Sequence, residues 1–186
     1  MIRRLVCILG VALILASLGL MGWMEFHNRE VTATCAEVSE KLTQMLPGRN
    51  PGMVGSGDPM PALQIGGRDY AALLEAPDYG LALPVADRWN GGNGVPARFC
   101  GSVYDGSLVI GGSESQLGFC NQIHLGAYIT ITDMTGATFS YRVCQVDRAQ
   151  KAPSHWLTEG DWDLTIFFRG TYSTEYLAVR CQGAYR

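Results

Sequence analysis

Five of the six cysteines, Cys35, Cys100, Cys120, Cys144 and Cys181, lie downstream of a long apolar run that holds the sixth, Cys7. A cysteine thiolate is an intrinsically strong nucleophile, but acyl chemistry also needs a base beside it and donors for the developing charge. The available imidazoles are His27, His124 and His155. Cys120 and His124 are one helical turn apart, yet such a turn supplies no oxyanion site, and the neighbours of Cys120 are apolar, as in a core. His155 belongs to the polar stretch Lys151–Glu159 and reads as solvated, while His27 stands beside the apolar run. No CxxC pair is present, so neither a zinc site nor thioredoxin-like exchange is indicated, and no cofactor is called for. Five external cysteines leave at least one thiol unpaired in a monomer. Cys144 and Cys181, both on apolar segments, leave open either a disulfide between neighbouring strands or two small buried hydrophobes. Ser113, in Gly111-Gly112-Ser113-Glu114-Ser115, has the outline of a hydrolase elbow. That motif requires glycine where Ser115 stands, and βαβ units that this chain lacks.

The elements that must hold these residues begin with Leu5–Met24, twenty residues without a charge. At about 1.5 Å per residue they span roughly 30 Å, the hydrocarbon thickness of a bilayer. Arg3 and Arg4 precede the run while Glu25 and Glu30 follow it, which predicts a cytoplasmic N-terminus and an external remainder. A cleaved leader would have a shorter apolar region and a small-x-small site close behind it; here Glu25–Glu30 intervenes. Trp23 and Phe26 fit the aromatic belt of a membrane interface. The chain carries a net charge of −3, and with Arg3 and Arg4 ahead of the run, 12 basic against 17 acidic residues follow it. That balance excludes nucleic-acid binding, which needs a basic footprint.

Val31, Cys35, Val38, Leu42, Met45 and Leu46 recur at helical spacing, predicting an amphipathic helix over residues 25–46 that stops before Pro47. About half of residues 47–67 are glycine or proline, the composition of a linker. From Arg68 to the end, residues 68–186, short apolar runs alternate with turn residues, the texture of a mostly β domain. Strands are expected at Tyr70–Ala76, Leu81–Leu83, Leu108–Gly111, Ala127–Thr132, Thr138–Val146, Asp163–Phe168 and Glu175–Arg180, with about two helical turns at Leu117–His124. Residues 129–143 read as a hairpin with Gly136 in its turn. Many short strands with few helices predict a closed or nearly closed β-barrel with short helices.

Glu159–Cys181, EGDWDLTIFFRGTYSTEYLAVRC, resembles the C-terminal strand pair of sortases, the cysteine transpeptidases of Gram-positive cell surfaces. The resemblance continues through Ala76–Val85 (APDYGLALPV), which parallels the family's I-P-x-L-G-L-x-L-P-V strands. Residues 95–102 with Leu108–Ser113 (LVIGGS) parallel G-S…L-V-I-A-G-H, and Phe119–Thr132 parallels the following turn and strand. It covers residues 70–181, in order and spacing, and is nearest to class B-like sortases. It implies a closed sortase-type barrel behind an N-terminal transmembrane helix, in a cell envelope of Gram-positive type.

The same resemblance locates where the chemistry would be. The family's nucleophilic cysteine falls on Arg169, its histidine on Ser113 and its arginine on Tyr176. A guanidinium has donors only and stays protonated, so Arg169 cannot attack a carbonyl. Arg169 either faces the old cleft, where it would bind a carboxylate or carbonyls, or reaches solvent from a strand end. Tyr176 either donates one hydrogen bond or packs; Trp162 either touches a peptide or covers the barrel rim. The resemblance therefore implies an external, inactive sortase-like protein that binds a sorting-signal-like peptide or a surface-protein partner. An active transpeptidase working through a non-standard site and a membrane-tethered scaffold are the other readings.

Overall fold

The computed structural model describes residues 2–46, 50–51, 60–92, 94–171 and 173–184, without the side chains of 2–8, 24, 27, 28, 31, 50 and 51. Two near-continuous apolar runs, LVIGGS and LTIFFR, become the parallel strands β6 (Leu108–Ser113) and β9 (Leu164–Arg169), paired residue by residue from Leu108–Leu164 to Ser113–Arg169. Strands covered on both faces read as unbroken apolar runs rather than as alternation, and that is the situation here. On the inner face Ile110, Ile166 and Val179 form one cross-strand layer, and Leu108, Leu164 and Cys181 the next, all fully buried.

The other strands are β1 (Asn50–Pro51), β2 (Leu63–Ile65), β3 (Arg68–Ala76), β4 (Leu81–Ala86), β5 (Ala97–Cys100), β7 (Tyr128–Asp133), β8 (Ala137–Ala149) and β10 (Tyr176–Gly183). Their order around the sheet is β8-β10-β9-β6-β5-β4-β3, and β7 joins β3 back to β8, closing an eight-stranded barrel, with β1 and β2 as additions on β8 and β3. The expected strands and the hairpin are all present. Gly136 has φ 86° in the β7–β8 turn, and the buried Asp133 carboxylate takes the Thr135 and Ala137 amides at 2.9 Å and the Tyr104 hydroxyl. Burial and that carboxylate push the Tyr104 phenol up to about 12.

Several expectations are corrected. The two turns placed at Leu117–His124 start earlier, as α2 (Glu114–Leu117) followed by a 3₁₀ turn at Gly118–Asn121. The stretch Lys151–Glu159 is not plain loop but carries α3 (Ser154–Thr158), in which His155 is exposed. Of the linker 47–67, residues 47–49 and 52–59 lie outside the described residues. The rest is structured: Met60 is buried, and β2 pairs with β3. No disulfide joins Cys144 to Cys181. Cys181 faces the barrel interior, whereas a β-bulge skips Cys144, since Arg180 pairs with Gln145 and Cys181 with Val143, and leaves it exposed. Cys35, Cys100, Cys120, Cys144 and Cys181 are all free thiols.

Helix α1 (Ile2–Met45) runs unbroken for 44 residues and ends before Pro47 as expected. Contacts divide the chain into two compact units, Met1–Thr34 and Cys35–Arg186. In the first, residues 9–23 are exposed, and Arg29 pairs with Glu25 at 3.2 Å one turn back. No helix is long and apolar enough to cross a membrane among the described residues; in the predicted span Leu5–Met24, the side chains of 5–8 and 24 lie outside them. In the second unit Cys35, Val38 and Leu42 form the buried stripe, and Ser39 Oγ donates to the Ala82 carbonyl at 3.0 Å. Burial lifts the Cys35 thiol to about 11.

Candidate functional site

Side chains two apart on a strand share a face, and cross-strand partners point the same way. On the outer face of the barrel wall this rule aligns Val109, Gly111 and Ser113 on β6 with Thr165, Phe167 and Arg169 on β9. It adds Tyr176, Ala178 and Arg180 on β10. Ser113, Arg169 and Tyr176 are direct partners across three adjacent strands, so the three positions singled out in the sequence meet at one end of one face. The Arg169 side chain is exposed and lies over the Tyr176 ring, 6.0 Å from its centroid. Ser113 Oγ is 2.7 Å from Ser115 Oγ.

Glu114, next in the chain, fixes the β9–β10 turn at this end. Its carboxylate accepts the Thr171 amide at 2.6 Å and Asn121 Nδ2 at 3.3 Å, and the Thr171 donor in particular holds its carboxyl below the usual carboxylate range. A depressed folded-state value stabilises the fold above the unfolded glutamate value of about 4.3 and ceases to do so as pH falls through the folded one. Because Glu114 is partly solvated, Glu114→Gln should cost only about 0.5 kcal/mol at pH 7. Denaturant unfolding should show the difference between variant and wild type shrinking below pH about 4.

Behind the strand ends the face is apolar. Phe167, Val109, Ala178 and Leu157 form a small second core, against which Trp89, Phe99, Trp156 and Tyr176 are half-buried. The rings of Trp89, Phe99 and Phe167 meet mutually at centroid distances of 5.4–5.8 Å, two of the three pairs edge-to-face, in the range aromatic pairs prefer. Gly111 makes this packing possible: a Cβ there would lie 2.5 Å from Trp89 Cζ3 and 2.6 Å from Phe167 Cζ.

A buried cation holds the roof over the other end. Arg180, 2% exposed, donates to the Leu157 carbonyl at 2.8 Å, to Thr165 Oγ1 at 3.1 Å and to the Trp156 carbonyl, and pairs with Asp147 at 3.3 Å. Its guanidinium also stacks on the Trp156 ring at 5.0 Å. Strand and α3 are thereby tied together. Beyond this clamp lies a cavity of about 480 Å³ bordered by Cys100, Asp105, Leu157, Asp161, Trp162 and Thr165, among others. Trp162 therefore sits with the start of β9, five residues of strand from Arg169, and is not brought together with the other three positions.

None of the five cysteines stands at the Ser113–Arg169–Tyr176 end of these strands. Cys181 pairs with Leu164 and Cys100 with Val109, both toward the far end, and Cys120 is buried in the 3₁₀ turn. Burial raises the Cys100, Cys120 and Cys181 thiols above the ordinary cysteine value. Among the described residues no cluster of histidine, cysteine or carboxylate groups is arranged to hold a metal ion.

The sequence reading missed Arg180 and the aromatic trio. A charged residue inside the apolar strand YLAVRC was the available signal for the first, since such residues are buried only when paired. Two glycines inside the strand LVIGGS were the signal for close approach in the second.

A closed eight-stranded barrel with this wall is the sortase fold, and solved sortases are its structural neighbours. Sortase A from Corynebacterium diphtheriae superposes with a TM-score of 0.55 and 14% identity over 86% of this chain and 85% of its own. Sortase C from Clostridium perfringens SM101 gives 0.53 and 16% over 63% and 71%. Sortase E1 from Streptomyces coelicolor, solved with a tripeptide in its active site, gives 0.50 and 14% over 62% and 88%. At these identities the likeness is one of fold. No protein-family model matches the sequence, and no curated protein matches it.

Proposed function

We propose that this is a membrane-anchored, extracytoplasmic pseudosortase, nearest to class B in its motifs, that binds a sorting-signal-like peptide or surface-protein partner without turning it over. The observation that carries the reading is the content of the three strand-end positions. The resemblance assigns base, nucleophile and oxyanion donor to Ser113, Arg169 and Tyr176, which meet on one face. A serine, a guanidinium and a phenol in those places form no thioester.

The other thiols support inactivity as well. A buried thiol whose protonated form is favoured supplies little nucleophile at neutral pH, and Cys100, Cys120 and Cys181 are all of this kind. An active transpeptidase would have to recruit one of them. Retained recognition rests on Trp89 and Phe99, half-exposed over the buried Phe167, whose apolar surface suits an extended peptide through shape and apolar contact. A tripeptide occupies the active site of one structural neighbour, and the corresponding face is where a ligand is proposed here. Leu5–Met24 would be the anchor, with Arg3 and Arg4 cytoplasmic and the barrel outside. The second reading, a tethered scaffold that does not use this face, is favoured by the roof that Arg180 holds over part of it. The full-length chain, incubated with sorting-signal peptides and an amine acceptor, should yield neither cleaved nor transferred product by chromatography. Arg169→Cys alone should remain equally inert, because base and oxyanion donor are still missing. A product that depends on the wild-type protein would reverse the assignment.

A further inference from the structure

Arg169 and Arg142 are both exposed guanidiniums lying over a tyrosine ring, but only Arg169 stands on the same face as the aromatic floor. Arg98 and Arg180 are tied to carboxylates and carbonyls, Arg88 to Asp87, and Arg142 lies on Tyr128. The Arg169 guanidinium is exposed and, among the described residues, has only the Tyr176 ring as a partner. Among the described residues no ion pair joins Arg169 to Glu114, which accepts from Thr171 and Asn121, or to Glu175, which accepts from Gln150 at 2.9 Å. An unpaired cation thus stands at the end of an apolar floor, with the Ser113 and Ser115 hydroxyls on the neighbouring strand end.

We infer that this strand end is a receptor for the free C-terminal carboxylate of an apolar peptide or protein tail. The Arg169 guanidinium takes the two carboxylate oxygens, and the preceding side chains lie along the half-exposed Trp89 and Phe99. The inference rests on the reading of this face as a peptide site and names the ligand's chemistry. A guanidinium matches a carboxylate in bidentate geometry and gains far less from the neutral carbonyl of a chain that continues past it. A single guanidinium at this strand end suits one negative charge, and a domain that is acidic outside the anchor repels polyanions. The floor behind the cation selects apolar residues before the carboxylate rather than a bare inorganic anion.

The test uses the full-length chain in detergent micelles and two probes, acetyl-Leu-Ala-Ala with a free carboxylate and the same peptide as its C-terminal amide. Binding is read from tryptophan fluorescence and checked by calorimetry. At low ionic strength the acid should bind at least about tenfold more tightly than the amide, and added salt should narrow the gap. Arg169→Met should bring the two affinities to near equality, and Arg169→Lys should keep part of the preference. Both replacements are at an exposed strand end and should melt like the wild type. Equal affinity for acid and amide in the wild type would overturn the carboxylate receptor while leaving the peptide face standing. An acid preference that survives Arg169→Met would overturn it too. If neither peptide binds, the receptor and the peptide-binding reading fall together, whereas covalent capture of either probe would sink the inactive reading instead.

Discussion

Arg180→Ala should be the most damaging single substitution in the outer wall, lowering stability by about 3–5 kcal/mol. The wild-type guanidinium is buried and satisfies two carbonyls, a hydroxyl and a carboxylate at once. Truncation leaves those acceptors facing a void and removes the stacking partner of Trp156. The roof segment, residues 150–162, has little else to hold it, since α3 contributes only Leu157 as a fully buried side chain. Loss of the clamp should therefore appear first as proteolysis within residues 151–161 and a change in Trp156 emission, and then as an earlier global transition. A domain of this size shifts by about 2–4 °C per kcal/mol, so the melting temperature should fall by roughly 10 °C. Arg180→Lys should recover little, because an ammonium cannot span the same set of acceptors in one plane. A melting curve and a digestion pattern indistinguishable from wild type would show that the roof is held by something other than Arg180.

Gly101→Ala should come close to that effect from a different cause. Gly101 has φ 72°, a conformation costly to any residue with a Cβ, and it sits where the chain leaves β5. A Cβ built there would fall 2.5 Å from the Ser107 carbonyl carbon and closer still to its oxygen. Because the obstacle is backbone, it cannot swing away as a side-chain tip would. The Gly101–Ser107 turn is also braced by Asp105, whose carboxylate takes the Ser102 amide at 3.1 Å and the Ser107 hydroxyl at 2.5 Å. Strain and lost bracing together should cost about 3 kcal/mol or more, measured by denaturant unfolding. Because this turn borders the 480 Å³ cavity, Trp162 emission should change as well. Gly126→Ala makes a useful control. It shares the positive φ but has open space around its missing Cβ, so its cost should be confined to backbone strain.

Much of the barrel was legible because the interior layers impose simple patterns. The runs of β6 and β9 betray strands buried on both faces, and the Asp133–Gly136 turn marks the β7–β8 hairpin through residues with specific backbone demands. What escaped was set by geometry that local sequence does not encode. Strand β5 is only ARFC, too short for alternation to show, and its pairing with β4 rests on one partner pair, Ala86–Ala97. Helix α3 is a single turn in a polar stretch, held by Arg180 from a distant strand rather than by its own periodicity. The bulge at Arg180/Cys181 skips Cys144, and no pattern in YRVCQV announces the extra residue.

The candidate site divides along the same line. Alignment of Ser113, Arg169 and Tyr176 followed from strand order, since parallel β6–β9 pairing and the β9–β10 hairpin leave few ways to arrange three strand ends. Trp162, which its loop allows either to touch a peptide or to cover the barrel rim, lies at the start of β9, and the length of that strand separates it from the other three. The floor could not be read ahead of the fold, because Trp89, Phe99 and Phe167 come from three separated segments and meet only over Gly111.

Whether this barrel performs acyl transfer is decided most directly by the intact mass of the protein itself. The full-length chain should be incubated with an excess of sorting-signal peptide in the absence of amine acceptor, quenched in acid to preserve thioesters, and weighed by mass spectrometry. On the proposal that Arg169 holds the nucleophile's place, and with the remaining thiols buried or remote from that end, the mass should stay that of the unmodified chain. A hydroxylamine-labile acyl adduct on Cys35, Cys100, Cys120, Cys144 or Cys181 would contradict the account.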